Sequence, residues 1–236
     1  MVKKTIPLIL ISLIIAACTT TTAPVEIEID EKYLTEKTND DSKNIFAIEN
    51  RIIETHREKL ALEKKLIDQA KLPAETEKEL KLLRDENKIL KDQISLYEKK
   101  KNAANLEAKK TQLKKNEIQI EESTALLQFQ QAENKYIEAD INLKNAELAK
   151  DIAELKFEKS KIAAEYLDKY EITPNEDKDS SSKKSVKKDP EDKYGYKKYS
   201  ENLDKTEKHR VKVETKYQEA EKKYLDAKAA LEKFNS

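Results

Sequence analysis

The chain has little glycine and proline: one Gly and five Pro among 236 residues. Sheets need turns, and turns draw on these two residues, so the composition argues against a β-sheet fold. One glycine also cannot build the Gly-rich loops that cradle phosphate groups. Tryptophan is absent and cysteine occurs once, which excludes an internal disulfide and a cysteine-based metal site.

Apolar residues are few and charged residues are many. Charged side chains make up 40% of the chain, hydrophobic ones 37%, and the mean hydropathy is -0.88. Such a chain cannot build a thick core, but its many Lys, Glu, Ala, Leu and Gln residues favour helix. The 47 basic and 47 acidic side chains cancel. This balance is not the basic footprint of a nucleic-acid-binding protein, and we expect no nucleic-acid partner.

The first 17 residues have the pattern of a secretory leader. Two lysines precede a short apolar run, and Ala16 and Ala17 supply the small residues that signal peptidases require. The run has about ten apolar residues, whereas a permanent membrane span needs about 20. The segment Ile15-Ala16-Ala17-Cys18 resembles the lipobox of bacterial lipoproteins. The resemblance implies that residues 1–17 are a cleaved signal peptide and that Cys18 is the site of lipid attachment.

A lipoprotein of this kind is held in its membrane by acyl chains such as palmitate. We expect residues 18–43, which lack helical periodicity, to form a flexible tether behind Cys18. Asp does not follow Cys18, which in Gram-negative systems favours the outer membrane, and we favour the periplasmic side over the cell surface. The alternative is an ordinary secretory signal that happens to end at a cysteine.

The first predicted helix covers residues 44–72. One apolar line follows a 3–4 spacing through Ile45, Ile48, Ile52, Leu62 and Leu66. A second line repeats at every seventh residue beside it, through Phe46, Ile53, Leu60 and Ile67. This apolar face is broad enough for more than one neighbour. Pro73 predicts the end of the helix, and we expect a tight reversal over Lys71–Ala74.

No glycine or further proline interrupts residues 73–171, which predicts one helix of about 145 Å. One heptad pattern, whose core positions we call a seam, fits both ends of this helix. Its residues are Leu80, Leu83, Asn87, Leu90, Ile94, Tyr97, and then Ala125, Phe129, Ala132, Tyr136, Ala139, Leu143, Ala146, Lys150, Ala153, Phe157, Ala164 and Leu167. Asn87 has two interpretations of equal weight: a buried amide that sets the register, or a polar residue tolerated beside water.

A second stripe at seven-residue spacing runs along the other side of this helix. It comprises Leu82, Ile89, Leu96, Ala103, Leu106, Leu113, Ile120, Leu127, Asn134, Ile141, Leu148, Leu155 and Ile162. Two apolar sides predict neighbours on both. The first seam fails between Lys101 and Glu122. We favour a continuous helix there because its residues prefer helix, and a hairpin turn at residues 101–105 is the alternative.

Residues 172–192 are rich in Ser, Lys and Asp and predict a disordered polar linker. A last helix is predicted over residues 193–235, with a seam of Tyr196, Tyr199, Leu203, Val213, Tyr217, Ala220, Tyr224, Ala227, Leu231 and Phe234. We expect it to return antiparallel along residues 127–167, and the first helix to return along residues 76–105. The predicted fold is all-α: an elongated coiled coil, with a long central helix and shorter antiparallel helices folded onto its ends.

One apolar stripe of the rod stays uncovered in this arrangement. A continuous line of exposed Leu and Ile marks an interface rather than the surface of a monomer. We therefore expect a homo-oligomer or docking onto another helical envelope protein.

Nothing in the sequence points to chemistry. The two histidines lie in different predicted helices, and motifs for metal, nucleotide or nucleophilic catalysis are missing. Carboxylates such as Glu133 and Asp140 fit a solvated helix surface better than an acid catalyst. We predict no enzyme activity, no cofactor, no metal site and no small-molecule substrate.

The preferred function is a membrane-anchored cell-envelope lipoprotein whose coiled-coil rod acts as a scaffold or interaction module. Two alternatives remain. The Ala/aromatic pattern from Gln131 to Asp140 is similar to the periplasmic hairpins of efflux adaptors and channels, which implies an accessory of an envelope transport assembly. A tether and a rod also suit a surface-exposed, adhesin-like lipoprotein.

Overall fold

The structure, a computed structural model, describes residues 38–169 and 196–234. These residues form four helices, α1 (Asn39–Gln69), α2 (Leu72–Lys99), α3 (Ala103–Lys169) and α4 (Tyr196–Glu232), with no strand among them. The all-α, coiled-coil-like class is confirmed. The predicted leader, Cys18, most of the tether and the linker at 172–192 lie outside the described residues.

Helix α1 begins five residues before the predicted start at Asn44. Thr38 caps it: its Oγ1 accepts a hydrogen bond from the backbone N–H of Asp41 at 3.1 Å, and the Asp41 carboxylate accepts one from the Thr38 N–H at 3.1 Å. This reciprocal capping box satisfies two N–H groups that a helix start leaves unpaired. The predicted tether was therefore too long, because this polar first turn carries no apolar periodicity.

The predicted reversal at Lys71–Ala74 is wrong. Only Ala70 and Lys71 separate α1 from α2, and both keep right-handed helical angles. Pro73 lies in the first turn of α2, where its missing N–H costs nothing. The chain therefore continues onward with a local break, and α1 and α2 pack one after the other along α3.

One heptad seam crosses that break without losing phase. Each of its members is buried or half-buried: Ile45, Ile48, Ile52, Thr55, Lys59, Leu62, Leu66, Gln69, Pro73, Thr76, Leu80, Leu83, Asn87, Leu90, Ile94 and Tyr97. The sequence predicted two separate lines here, because Pro73 was interpreted as the end of the first helix. Asn87 is buried within it.

The continuous helix predicted over residues 73–171 is also wrong, and the hairpin alternative is correct. Helix α2 ends at Lys99 and α3 begins at Ala103. Lys101 adopts a φ of 53°, and the N–H groups of Lys101 and Asn102 donate to the carbonyls of Glu98 and Tyr97 at 3.1 Å each. This is a Schellman ending with lysine at the position that usually holds glycine.

The physical reason for the turn lies in the helices that it joins. A left-handed lysine costs about 1–2 kcal/mol. Folding back buries Leu80 and Leu90 of α2 against α3, and burying one leucine contributes about 1.5–3 kcal/mol. Asn102 also starts α3, because its Oδ1 accepts a hydrogen bond from the Asn105 N–H at 3.3 Å. Packing therefore outweighs the local preference for helix.

Helix α1 also packs on α3, and the prediction that it returns along residues 76–105 is wrong. Glu49 pairs with Lys159 at 3.3 Å near one end of the contact, and Lys65 pairs with Glu133 at 3.2 Å near the other. The order of these pairs shows that α1 and α3 run antiparallel. Together α1 and α2 form one arm of a long hairpin, and α3, about 100 Å long at about 1.5 Å per residue, forms the other.

Helix α4 returns antiparallel along α3, as predicted. Its rings alternate with those of α3: the centroids of Phe157 and Tyr196 lie 4.9 Å apart, and those of Phe129 and Tyr224 lie 5.6 Å apart. Helix α3 thus has neighbours on two sides, which confirms that expectation. The half of α3 near its C-terminus is flanked by α1 and α4, whereas the end near the Lys100–Asn102 turn pairs with α2 alone.

Candidate interaction surface

The most exposed apolar side chains of α1 form a regular line. We call Phe46, Ile53, Leu60 and Ile67 the α1 column; 50 to 71% of each residue is exposed. Each follows directly after a seam residue, so the column lies beside the contact with α3 rather than within it. No other described helix covers it. The second apolar line predicted for the first helix is therefore present and unpartnered.

A second exposed line lies on α2. We call Leu82, Ile89 and Leu96 the α2 column; 47 to 72% of each residue is exposed. These residues stand two positions after a seam residue, so the two columns are rotated by about 100° from each other. The exposed columns of α1 and α2 therefore lie on two separate faces, and do not form the one continuous stripe that the sequence predicted.

The α3 part of the predicted uncovered stripe is covered. From Leu106 to Leu155 its members are half-buried, and Ile162 is buried. Two polar residues of α3, each three positions after a member of the stripe, form hydrogen bonds to the other arm. Gln130 accepts one from Thr76 at 2.9 Å, and Asn116 donates one to Glu86 at 3.3 Å. The sequence periodicity predicted this apolar line correctly, but the prediction that it stays uncovered is wrong for α3.

Charges of opposite sign border the α1 column. The flank nearer α3 carries Glu49 and Glu63, together with His56. The outer flank carries Lys43, Arg57, Lys64 and Lys71, at positions three or four residues from a column member. An apolar line between an acidic and a basic edge has the layout of a coiled-coil contact surface.

The contact between α1 and α3 is built around charge pairs. Arg51 donates to Glu154 at 2.8 Å and to Asp151 at 3.3 Å. Burial opposes the charge on Arg51, but the bonds to these two carboxylates outweigh it and raise the pKa of Arg51. Asp151 is itself buried. The pair fixes the position of α1 along α3, because only one alignment brings these groups together.

A second charged cluster lies farther along the same contact. Lys144 of α3 pairs with Glu58 of α1 at 2.8 Å and with Glu147 at 3.1 Å. Burial works against the charge on Lys144, but hydrogen bonds to both carboxylates raise its pKa. Burial also raises the pKa of the nearby Asp140 carboxyl. Glu133 and Asp140, which the sequence placed on a solvated surface, are half-buried instead.

The contact between α3 and α4 relies on rings. The hydroxyls of Tyr136 and Tyr217 lie 2.7 Å apart and share a hydrogen bond, while Tyr224 stacks on Tyr136 with centroids 5.1 Å apart. Burial, and then the bond to Tyr136, raise the pKa of Tyr217. Tyrosines occupy the seam as predicted, and this pair satisfies its hydroxyls inside it.

Two shallow grooves lie between the helices. One, of about 360 Å³, is lined by charged side chains of both signs from α1, α3 and α4, including Arg51, Asp151 and Arg210. His56 and His209 are exposed on α1 and α4. Within residues 38–169 and 196–234, no three His, Cys, Asp or Glu side chains are grouped to hold a metal ion. No helix in the described part of the chain has the length and apolar character to cross a membrane.

The candidate surface is thus the pair of exposed columns, with ion pairs and polar hydrogen bonds holding α1 and α2 in place on α3. Comparison with known proteins adds no further guide: no protein-family model, curated protein or solved structure matches the chain.

Proposed function

We propose that this chain is a lipid-anchored scaffold of the bacterial cell envelope that associates with a second copy of itself through the α1 column. The observation that carries the proposal is the row of four large apolar residues exposed at seven-residue spacing. Such a row suits a second helix lying alongside, since side chains at this spacing follow one side of a supercoiled helix. The resemblance of Ile15–Cys18 to a lipobox supports the anchor.

The charges beside the column favour a parallel pair of α1 helices. A twofold axis along parallel helices places the basic flank of one copy opposite the acidic flank of the other. Lys64 then faces Glu63 of the second copy across the column. An antiparallel pair would instead oppose like charges. Two copies anchored by Cys18 in the same membrane would also point in the same direction.

The size of the column predicts a weak dimer. At roughly 100–150 Å² for each exposed side chain, the column offers on the order of 500 Å² per copy, less than the roughly 800 Å² per partner of a standard interface. Association in solution should therefore lie in the micromolar range. Confinement to a membrane raises the effective concentration of the second copy, which strengthens such a contact without new interactions.

Sedimentation equilibrium on residues 19–236 tests the association. We expect a monomer–dimer equilibrium that Ile53→Gln with Leu60→Gln shifts to monomer. The matched control is Ile118→Gln with Val211→Gln, which removes two exposed apolar residues outside the column and should leave the equilibrium unchanged. A wild-type monomer at millimolar concentration would reject the self-association.

The anchor has its own test. Expression of the full chain with labelled palmitate in a bacterium that processes lipoproteins should label the protein, and Cys18→Ser should abolish the label. The mature wild-type protein should begin at Cys18 when its N-terminus is identified by mass spectrometry. An unlabelled wild-type chain would contradict the anchor. The self-association would then rest on the sedimentation result alone.

A role as an accessory of an envelope transport assembly is the second candidate. The antiparallel pairing of α2 with the first part of α3 favours it, because the efflux proteins whose pattern residues 131–140 resemble use helical hairpins. Crosslinking in cells followed by mass spectrometry separates the two candidates. The transport role requires a channel or adaptor among the captured neighbours, whereas the scaffold role requires links between α1 helices of two copies.

A further inference from the structure

The hairpin gathers positive charge at one end of the molecule. Residues 88–115, which include the Lys100–Asn102 turn, contain nine lysines and three carboxylates, although the whole chain has no net charge. We call this end the cationic tip. In the sequence its lysines are spread over the middle of a supposed continuous helix. The turn brings the last part of α2 and the first part of α3 side by side.

The part of the hairpin just behind the tip has the opposite charge. Residues 72–87 of α2 and 116–134 of α3 together carry nine carboxylates and three basic side chains. This acidic zone begins about 20 Å from the turn, measured along α3 at about 1.5 Å per residue. The hairpin is therefore cationic at its end and anionic along its side, which opposes flat docking on an anionic surface and favours contact through the end.

The arrangement of the lysines suits a broad charged surface rather than a nucleic acid. Five of the lysines, at the turn and on α3, are exposed and form no ion pair with the described residues: Lys99, Lys100, Lys101, Lys114 and Lys115. Lys91 and Lys110 instead pair with the carboxylates of Glu117 and Glu98, at 3.7 and 3.5 Å. No arginine lies in residues 88–115 to grip a phosphate with two bonds. Its one aromatic residue, Tyr97, is half-buried in the seam and offers no platform for stacking bases.

The tip also lies at the far end of the rod from the start of α1. Glu49, near the beginning of α1, pairs with Lys159 close to the end of α3, whereas the turn joins α2 to the beginning of α3. About 100 Å of α3 separates the two ends. A chain anchored ahead of α1 can therefore present the tip well away from its own membrane.

We propose that the cationic tip binds the anionic phospholipid surface of a second membrane, so that the protein bridges two bilayers. The affinity of the tip for anionic lipid is independent of the proposed anchor, whereas bridging rests on it. At physiological ionic strength the screening length is about 8 Å, so end-on contact engages the tip lysines while the acidic zone behind them is screened. Lysines near such a surface act additively and without specific geometry.

The test is a bridging assay with the full lipidated chain. The protein is purified from bacterial membranes and placed in neutral phosphatidylcholine donor vesicles, then mixed with labelled acceptor vesicles. The acceptors are either neutral or contain roughly one third phosphatidylglycerol. Fluorescence cross-correlation measures how many acceptors are captured. We expect capture of anionic acceptors only, and loss of capture at high salt.

Matched variants locate the binding site. The tip variant replaces five exposed lysines by Gln: Lys99, Lys100, Lys101, Lys114 and Lys115. The control variant makes the same change at five exposed lysines of α4: Lys197, Lys198, Lys205, Lys208 and Lys212. The tip variant should lower capture at least about 100-fold, and the control should retain it. Circular dichroism should show equal helix content in both.

Three outcomes would overturn the proposal: equal capture of neutral and anionic acceptors, equal losses in the two variants, or tip-dependent binding to soluble polyphosphate without vesicle capture. The last would assign the tip to an anionic polymer instead. Flotation of donor vesicles alone reports the anchor separately. A chain that fails to float contradicts the lipid anchor, and direct binding of that unanchored chain to anionic vesicles then tests the tip.

Discussion

Two seams run along α3 with the same 3–4 spacing but different side chains. In the seam toward α1 and α2, one of the two lines of α3 residues is almost entirely polar, and we call it the polar column: Lys109, Asn116, Ser123, Gln130, Ile137, Lys144, Asp151 and Glu158. In the seam toward α4, alanines alternate with rings, and Ala146 and Ala153 are buried. Regular spacing therefore predicts which positions are buried, but not whether a buried residue adds apolar stabilisation or sets the alignment of the helices.

The two seams differ in what they do: the polar column sets the alignment of the helices, and the aromatic seam toward α4 provides apolar contact. Arg51, Lys144 and Asn116 find partners only when the arms are in one register, so polar positions select that register at some cost in stability. The aromatic seam supplies apolar area and close backbone approach at the alanines. Long hairpins need both, because a uniform apolar seam allows one arm to slide along the other.

The largest expected effect comes from the one apolar residue of the polar column. Ile137 is 1% exposed. Ile137→Ala should lower the free energy of unfolding by about 2–5 kcal/mol, because its neighbours in the column cannot supply apolar contact. Urea unfolding followed by circular dichroism measures it. The exposed Ile118→Ala is the control and should cost less than about 0.5 kcal/mol. Equal effects would show that the burial of Ile137 contributes nothing to stability.

The next effect concerns the pair of Arg51 and Asp151. Arg51→Met should cost about 1–3 kcal/mol, because it leaves the buried Asp151 carboxylate without its partner. Adding Asp151→Leu should restore most of the loss, since replacing both members of a buried pair by apolar residues is close to neutral. Thermal unfolding of the single and double variants measures this. A double variant no more stable than Arg51→Met would show that the pair stabilises the fold beyond setting alignment.

The smallest effect is expected at the hydroxyl pair of the aromatic seam. Tyr217→Phe should cost about 0.5–1.5 kcal/mol, and adding Tyr136→Phe should cost little more, because both hydroxyls are then gone. Urea unfolding of the single and double variants measures these differences.

The hydroxyl pair of Tyr136 and Tyr217 also predicts that the free energy of unfolding depends on pH. The pKa of Tyr217 is raised by folding, so the folded state holds the phenolic proton more tightly than the unfolded state. Its contribution to stability is full below a pH of about 10 and declines as the pH rises further. Urea unfolding repeated from neutral pH upward should show a smaller alkaline loss in Tyr217→Phe than in wild type. Parallel profiles would contradict this assignment.

Much of the architecture was predictable because a heptad pattern is a local property. The α4 seam, its antiparallel return along α3 and the two-sided packing of α3 followed from the spacing of residues such as Tyr136, Tyr217 and Phe157. The α1 column was likewise visible as Phe46, Ile53, Leu60 and Ile67. What these patterns do not contain is the identity of the neighbour that covers each line.

The errors lie where tertiary contact overrides a local preference. Residues 99–102 contain no proline or glycine, yet the chain turns there because the two arms bury each other's seams. The Asn102 cap was the available signal, and a single Asn is weak evidence. At Ala70–Lys71 the opposite occurred: Pro73 predicted a reversal, but the same seam continues through the break, and α3 holds α1 and α2 on one side.

The sequence by itself determined that this chain is helical, which residues share each helical line, and that its apolar area is too small for a globular core. These follow from composition and spacing, which act within a few turns of helix. Only the tertiary structure decided which lines of α1, α2 and α3 meet, which two columns remain exposed, and that lysines and carboxylates separate into a cationic tip and an acidic zone. The physical reason is that these properties depend on one turn at Lys101, whose local cost is offset by contacts between residues far apart in the chain.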